Sequence, residues 1–230
     1  MGSRLRLHTR PPGATSVSAT HLWLPESHRL LLRSASLSAV SGPLYRAWVD
    51  SLNPTRTAKH QRVEPDRSNH GIKGVACILK TGKECVASAK VFWDMVLRME
   101  AAGFRAGDDL YGVPYDWRLP PWENKLCSDL ARVLHSASNG SAARKALVVA
   151  HSLGNLQVLY CLHEVFGRET LSRVRGLVSI APPWGGAPQS LRVFFSGAEM
   201  VSRIIITDAE TRDFARQMPG AYLLLPNDRV

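Results

Sequence analysis

Apolar residues recur at regular spacing from residue 86 onward, and this pattern predicts most of the secondary structure. Three stretches have the three-to-four-residue spacing of helices, at 88–102, 122–137 and 156–166. Two compact apolar runs, at 146–150 and 175–181, are typical of buried parallel strands, and 109–113 is a shorter candidate strand. Short apolar strands that alternate with helices predict an α/β fold with a parallel sheet.

Residues 1–85 lack such a pattern. They are rich in Ser, Pro, Arg and His, their apolar stretches are short, and Pro11-Pro12-Gly13 and Asn53-Pro54 interrupt any periodicity. This part of the chain is therefore predicted to form loops, with room for one short helix.

Composition narrows the class of protein. A length of 230 residues suits one domain, and 45% hydrophobic with 21% charged residues excludes wholesale disorder. The net charge of +10, carried mostly by scattered arginines, favours anionic partners such as phospholipid headgroups or nucleic acid. The alternative is an arginine-rich surface with no particular partner. Zinc-finger spacing and RNA-binding signatures are absent from the sequence, so nucleic acid is not expected as a partner.

The sequence shows neither a signal peptide nor a transmembrane segment, because no apolar stretch of the required length occurs. Cys77 and Cys85 could close a small loop in an oxidising compartment. Cys127 and Cys161 fall in helical patterns and are predicted to be buried free thiols. No cysteine pair has metal-ligand spacing near a histidine, so no metal or other cofactor is predicted.

The segment that carries candidate chemistry is Ala150-His151-Ser152-Leu153-Gly154. It follows a predicted strand and precedes a predicted helix, which is the context of the G-x-S-x-G nucleophile elbow. A sharp turn there would expose the Ser152 hydroxyl, and the Leu153 N–H would supply half of an oxyanion hole. The alternative is an ordinary strand-to-helix turn in which Ser152 caps the helix.

Three longer motifs carry a family resemblance: YGVPYDWRL at 111–119, VVAHSLGNLQVLYCL at 148–162 and SIAPPWGGAPQSLRVFFSG at 179–197, with a weaker echo in PGAYLLLPND at 219–228. Together they resemble the lecithin:cholesterol acyltransferase family of the α/β-hydrolase superfamily. The resemblance implies a partial α/β-hydrolase fold with the elbow after strand 146–150. It divides the chain into a poorly patterned region at 1–85, a core segment at 86–190 and the beginning of a cap at 191–230.

The resemblance also implies an activity, a lipid O-acyltransferase or phospholipase. Ser152 would be the nucleophile that takes an acyl group from a phospholipid and passes it to a lipid alcohol or to water. Leu153 would donate its amide to the oxyanion, and Trp184, Gly185 and Gly186 would shape the acyl pocket. Asp116, Trp117 and Arg118 are expected to form a structural cluster with an internal salt bridge. Contact with a membrane or lipoprotein surface is implied, as is residence in the secretory pathway, the lysosome or vacuole, or the endoplasmic reticulum.

The sequence does not offer a general base for Ser152 of the kind that the family resemblance implies. One histidine follows Ser152, and this residue, His163, lies on the same predicted helix about 16 Å away at about 1.5 Å per residue. His151 adjoins the serine and is poorly placed to serve it, and no aspartate can be carried over. We therefore expect either an incomplete family member that is active only in a longer form, or an inactive member that binds lipid without turnover. The sequence leaves open whether this chain is an enzyme.

Overall fold

A computed structural model of the chain describes residues 3–10, 15–21, 50–54, 61–78, 80–81, 84–138, 144–197 and 207–227. The described strands are β1 (Leu5–Thr9), β2 (Ser18–His21), β3 (Gln61–Pro65), β4 (Lys80–Thr81), β5 (Glu84–Cys85), β6 (Ala146–His151) and β7 (Val174–Ile180). The described helices are α1 (Ile72–Ala76), α2 (Trp93–Ala101), α3 (Leu126–Ala137), α4 (Leu153–Tyr160), α5 (Arg168–Ser172), α6 (Pro188–Ser196), α7 (Asp208–Arg216) and α8 (Pro219–Tyr222). A 3-10 turn at Ala87–Ala89 precedes α2, and a π-helical turn at Cys161–Val165 continues α4.

The chain forms two compact units. The first comprises Met1–Arg4 and Pro65–Trp184, and the second comprises Leu5–Glu64 and Gly185–Val230. Both mix helices and strands, so the chain has the expected α/β character, with a parallel strand pair in the first unit. None of the helices in the described ranges combines the length and the apolar character needed to cross a bilayer.

The parallel pair of the first unit is β6 with β7. Val148 lies opposite Leu177, and Ala150 lies opposite Ser179. The two predicted apolar runs are therefore confirmed as parallel strands. The prediction that both are buried is wrong for β7, which has no buried residue, whereas β6 buries Val148 and Ala150. The predicted strand at 109–113 is wrong: this stretch makes an isolated bridge between Ala106 and Leu110, and Gly112 donates its N–H to the His70 carbonyl at 2.9 Å.

The three predicted helices of the first unit are present with shifted starting points, and the one expected at 156–166 begins earlier, at Leu153, and ends in the π-helical turn. The helix expected from residue 88 begins at Trp93, after the 3-10 turn. The helix expected from residue 122 begins at Leu126, where the Asn124 side-chain oxygen accepts the Leu126 N–H at 2.9 Å. Side chains such as that of Asn124 stabilise helix starts by accepting N–H groups that have no partner within the helix.

Two disulfides cross-link the first unit. Cys77 is bonded to Cys85, which closes the small loop that the sequence allowed. Cys127 is bonded to Cys161, so the prediction of two free thiols there is wrong. The cause is tertiary: α3 packs against the C-terminal end of α4, which brings two buried positions 34 residues apart within a Cα–Cα distance of 5.1 Å.

The second unit contains a small sheet of order β2-β1-β3, with β1 and β2 antiparallel. The expectation of loops in residues 1–85 is therefore wrong at these three strands, whereas the short helix that it allowed is present as α1. These strands were missed because they are short and polar, as in LRLHT and SATH, and have no apolar run. In the same unit α6 packs against α7, and the Arg216 Nε donates to the Phe194 carbonyl at 2.8 Å.

Candidate functional site

Ser152 occupies the sharp turn between β6 and α4. Its backbone dihedral angles are φ 51° and ψ −130°, a conformation that residues other than glycine rarely adopt. The Ser152 N–H donates to the Ile180 carbonyl of β7 at 3.0 Å, and the Ser152 carbonyl accepts the Asn155 N–H at 3.0 Å. The strand, the strained serine and the helix that follows are the geometry that a nucleophile elbow requires. No side chain in the described residues makes a hydrogen bond to the Ser152 hydroxyl.

The alternative role for Ser152, a helix cap, has no support in the geometry. Ser152 precedes the first residue of α4, but its side chain makes no capping hydrogen bond. Leu153 begins the helix with its side chain 3% exposed. Because the first N–H groups of a helix have no acceptor inside it, the Leu153 N–H belongs to the set that can bind an external oxygen.

A buried asparagine, which the sequence did not single out, braces this turn. Asn155 is fully buried, and its amide nitrogen donates to the Ser152 carbonyl at 3.0 Å and to the Ile180 carbonyl at 3.2 Å. Its side-chain oxygen has no hydrogen-bond partner among the described residues. A buried acceptor without a donor costs about 1–3 kcal/mol of folding free energy. No sequence pattern marks this residue, because its contact with Ile180 joins positions 25 residues apart.

The predicted pocket residues Trp184, Gly185 and Gly186 form, with Ala187, what we call the glycine loop. Trp184 is 37% exposed and ends the first unit, whereas the two glycines begin the second unit. Gly186 has φ 87°, and a Cβ placed there would lie 2.5 Å from the Leu225 carbonyl oxygen. The structure thus shows that the backbone at Gly186 packs closely against Leu225. The role of the two glycines in an acyl pocket stays a prediction.

The end of the second unit holds the glycine loop in place. The Leu224 carbonyl accepts the Ala187 N–H at 2.8 Å and the Ser190 hydroxyl at 2.8 Å. The Asn227 N–H donates to the Gly185 carbonyl at 3.3 Å. The weaker motif PGAYLLLPND therefore contacts the stronger motif APPWGG directly.

Neither histidine near Ser152 in the sequence is placed as a base. His151 is the last residue of β6, and its ring packs edge-to-face on Phe92 with the centroids 6.2 Å apart. Burial lowers the pKa of the His151 imidazole below its usual value. His163 is 80% exposed, and its Nδ1 lies 2.8 Å from the Glu164 carboxylate, as expected for a residue on a helix surface.

The motif PYDWRL forms a buried structural cluster, as predicted. Arg118 donates two hydrogen bonds to the Asp116 carboxylate, from Nε at 2.9 Å and from a terminal nitrogen at 2.6 Å. The indole N–H of Trp117 donates to the Ser3 carbonyl at 3.2 Å, and the Ser3 hydroxyl oxygen accepts the Tyr115 backbone N–H at 3.1 Å. Burial also raises the pKa of the Tyr115 phenol, so this side chain stays neutral at physiological pH.

A separate cleft of about 420 Å³ opens elsewhere in the first unit. It contains none of the predicted site residues. Arg67 and Arg132 line it and both pair with Asp129, which also lies in its wall. These three side chains satisfy one another, so we assign the cleft no role.

Comparison with known proteins identifies relatives over part of the chain. The chain is 36% identical over 133 residues to the lysosomal phospholipase A and acyltransferase of Bos taurus, a match that covers 57% of this chain and 32% of the relative. It is 30% identical over 95 residues to the phosphatidylcholine-sterol acyltransferase of Gallus gallus, covering 41% of this chain and 23% of the relative. It is 32% identical over 100 residues to phospholipase A(1) LCAT3 of Arabidopsis thaliana, covering 42% and 22%.

The matched segment spans about a third or less of the length of these relatives. The family model for lecithin:cholesterol acyltransferase matches residues 35–230, which include the elbow, the glycine loop and the second-unit segment that holds it. The chain therefore belongs to the lecithin:cholesterol acyltransferase family.

Proposed function

We propose that Ser152 is the nucleophile of a lipid acyltransferase or phospholipase of the lecithin:cholesterol acyltransferase type. The observation that carries the proposal is the left-handed backbone of Ser152 between a parallel strand and a helix. Strained backbone at a non-glycine residue costs about 1–3 kcal/mol and clusters at functional sites. The names of the relatives, phospholipase A and acyltransferase, support the class of reaction.

The reaction that we propose has two steps. The Ser152 oxygen attacks the carbonyl carbon of a phospholipid ester while its proton passes to a base, and the tetrahedral intermediate carries the negative oxygen. The intermediate collapses, the ester bond breaks, and the lysophospholipid leaves with a proton. A lipid alcohol or water then attacks the acyl-Ser152 ester, which transfers the acyl group and restores the hydroxyl.

The surrounding residues have proposed roles in these steps. The Leu153 N–H donates to the negative oxygen of each intermediate, and a single such donor is worth about 3–4 kcal/mol of transition-state stabilisation in serine hydrolases. Trp184, Gly185 and Gly186 contact the acyl chain. The net charge of +10 favours approach to an anionic lipid surface.

We also propose that the protein folds in an oxidising compartment, such as the endoplasmic reticulum of the secretory pathway. Two disulfides are present, and all four cysteines of the chain take part in them. Stable disulfides form in oxidising environments and are rare in the cytosol.

A second candidate function is binding of lipid without turnover. It is favoured by one observation: the residues that the structure describes place no histidine against the Ser152 hydroxyl, and the one histidine later in the sequence, His163, is exposed. A serine without a base loses several powers of ten in turnover. The two candidates therefore differ in whether a base reaches Ser152 in the protein as cells produce it.

The test uses the protein purified from cells that express it, mixed with vesicles of a phospholipid labelled in its acyl chain and containing a lipid alcohol. We expect labelled fatty acid or acylated alcohol, with a loss of at least about 1,000-fold in Ser152→Ala. Ser172→Ala, at an exposed serine on α5, is the matched control and retains activity. Product formation that does not depend on Ser152 would contradict the proposal. Vesicle binding that weakens with salt but yields no product would favour the second candidate.

A further inference from the structure

The elbow contains a buried side chain that the proposed reaction does not use. The amide nitrogen of Asn155 donates to the Ser152 carbonyl at 3.0 Å and to the Ile180 carbonyl at 3.2 Å. The same two carbonyls accept backbone N–H groups of the turn, from Asn155 to Ser152 at 3.0 Å and from Ser152 to Ile180 at 3.0 Å. Four hydrogen bonds thus form a closed ring through Ser152, Asn155 and Ile180.

We propose that Asn155 is a positioning residue, which holds the Ser152 backbone in its left-handed conformation and so fixes the direction of the Leu153 N–H. The inference rests on the proposed role of Ser152 as nucleophile. A serine at φ 51° keeps this conformation only if its surroundings stabilise it. The side chain of Asn155 holds the serine from both sides, directly at its carbonyl and through the shared Ile180 carbonyl at its N–H.

The link to the oxyanion donor follows from peptide geometry. The bond between Ser152 and Leu153 is planar and trans, so the Ser152 carbonyl and the Leu153 N–H point in opposite directions. By donating to the Ser152 carbonyl, the Asn155 amide keeps the Leu153 N–H directed away from the Asn155 side chain. Rotation of this peptide plane would redirect the proposed oxyanion donor, whereas the serine side chain, bonded to the Cα on the rotation axis, would stay in place.

A purely structural role for Asn155 is less consistent with its contacts. Its side-chain oxygen is buried and lacks a hydrogen-bond partner among the described residues. Such an acceptor destabilises the fold, so folding stability alone does not favour an amide at this position. The amide nitrogen, in contrast, is fully used, since it donates to the Ser152 carbonyl of the turn and to the Ile180 carbonyl at the end of β7.

The same helix offers a matched control two residues further on. Gln157 is also fully buried, and its amide contacts a different part of the first unit. Its oxygen accepts from the Asn124 amide at 2.7 Å, and its nitrogen donates to the Leu119 carbonyl at 3.4 Å. Gln157 therefore ties α4 to the loop before α3, whereas Asn155 ties it to the elbow.

The experiment compares Asn155→Ala and Asn155→Asp with Gln157→Ala and Gln157→Glu in the full chain. The carboxylate variants keep the shape of the side chain and remove the amide hydrogens, and the alanine variants avoid burying a charge. Two quantities are measured: the rate at which a fluorophosphonate labels Ser152, and amide hydrogen exchange in the segments 150–156 and 119–126. A thermal melt of each variant establishes that it is folded.

We expect both Asn155 variants to label Ser152 about 100-fold more slowly, as for loss of an oxyanion donor, with faster exchange in 150–156. We expect both Gln157 variants to label within about twofold of the parent rate, with faster exchange confined to 119–126. Equal labelling and equal exchange in the Asn155 variants and the parent would overturn the inference. Equal slowing by the Gln157 variants would overturn it as well, because any loosening of α4 would then suffice.

The two proposals fail in distinguishable ways. If the parent chain is not labelled at Ser152, the nucleophile proposal is contradicted, and hydrogen exchange alone decides the role of Asn155. Faster exchange in 150–156 for the Asn155 variants, but not for the Gln157 variants, would still support the brace. Unchanged exchange there would overturn it.

Discussion

The elbow and the glycine loop both resemble family motifs, yet their glycines have different surroundings. In the elbow the left-handed backbone belongs to Ser152, and a Cβ added at Gly154 would contact only the Tyr115 hydroxyl, at 3.8 Å. In the glycine loop the left-handed residue is Gly186, where a Cβ would lie 2.5 Å from the Leu225 carbonyl oxygen. A motif glycine can thus reflect close approach of the backbone, or it can accompany strain at a neighbouring residue.

The two segments are also supported differently. The helix behind the elbow leads into Cys161, whose disulfide with Cys127 cross-links it to α3. The glycine loop is held by backbone hydrogen bonds to the segment 224–227. We therefore expect the elbow to depend on covalent support and the loop to depend on close packing, and four predictions test this contrast.

The largest expected effect is loss of the disulfide behind the elbow. The double variant Cys127→Ser/Cys161→Ser opens a cross-link between residues 34 apart, which should lower the free energy of unfolding by about 4 kcal/mol. The matched variant Cys77→Ser/Cys85→Ser removes a disulfide between residues 8 apart in the sequence. For this shorter loop the same chain-entropy model predicts a loss of about 2.5 kcal/mol of unfolding free energy. Urea unfolding measures both. Equal losses, or a larger loss for the Cys77–Cys85 variant, would show that the disulfide behind the elbow does not stabilise the protein more than the other one.

The next effect concerns the glycine loop. Gly186→Ala should lower the free energy of unfolding by about 3 kcal/mol, because it combines a left-handed backbone with a clash against the Leu225 carbonyl. Gly103→Ala is the control, since Gly103 has φ 98° but no described atom within 4 Å of the added Cβ. It should cost only the conformational part, about 1–2 kcal/mol. Equal losses of unfolding free energy in the two variants would show that close packing against Leu225 does not contribute at Gly186.

A smaller effect isolates the strain at Ser152. Ser152→Gly should be more stable than Ser152→Ala by about 1 kcal/mol, since glycine adopts positive φ readily. Neither variant should be labelled by a fluorophosphonate. Chemical denaturation of the two variants gives the difference. If the Ser152→Ala variant is as stable as the Ser152→Gly variant, the positive φ at position 152 does not cost folding free energy.

The smallest effect is expected at the motif glycine of the elbow. Gly154→Ala should leave the free energy of unfolding unchanged or raise it by up to about 1 kcal/mol, because Gly154 lies in α4 and alanine is the better helix former. Labelling of Ser152 should persist. A loss of stability above about 1 kcal/mol, or of labelling, would show that the elbow also needs glycine for space.

Much of the first unit was predictable from the sequence. Strands β6 and β7 are apolar, rich in valine and flanked by turns, so their local pattern predicts their parallel pairing, although only β6 contains buried residues. The turn at Ser152 follows from the same pattern, because a short strand and a helix meet at a small-residue motif. In contrast, β1 and β2 are polar and short, and their pairing depends on partners that no local pattern reveals.

The features that the sequence did not reveal are contacts between distant positions. Cys127 and Cys161 meet only because α3 packs on the end of α4, so neither helical pattern marks them as partners. Asn155 reads as an ordinary polar residue of α4 until β7 brings the Ile180 carbonyl beside it. Similarly, the closeness of Gly186 to Leu225 depends on the fold of the second unit.

The most direct test of the central claim is to map fluorophosphonate adducts on the protein in cells that express it. Peptide mass spectrometry then identifies the modified residue, with the Ser152→Ala variant as control. The account predicts an adduct on Ser152 and none in the variant. Absence of that adduct, in a sample where other serine hydrolases are labelled, would contradict the assignment of Ser152 as a nucleophile.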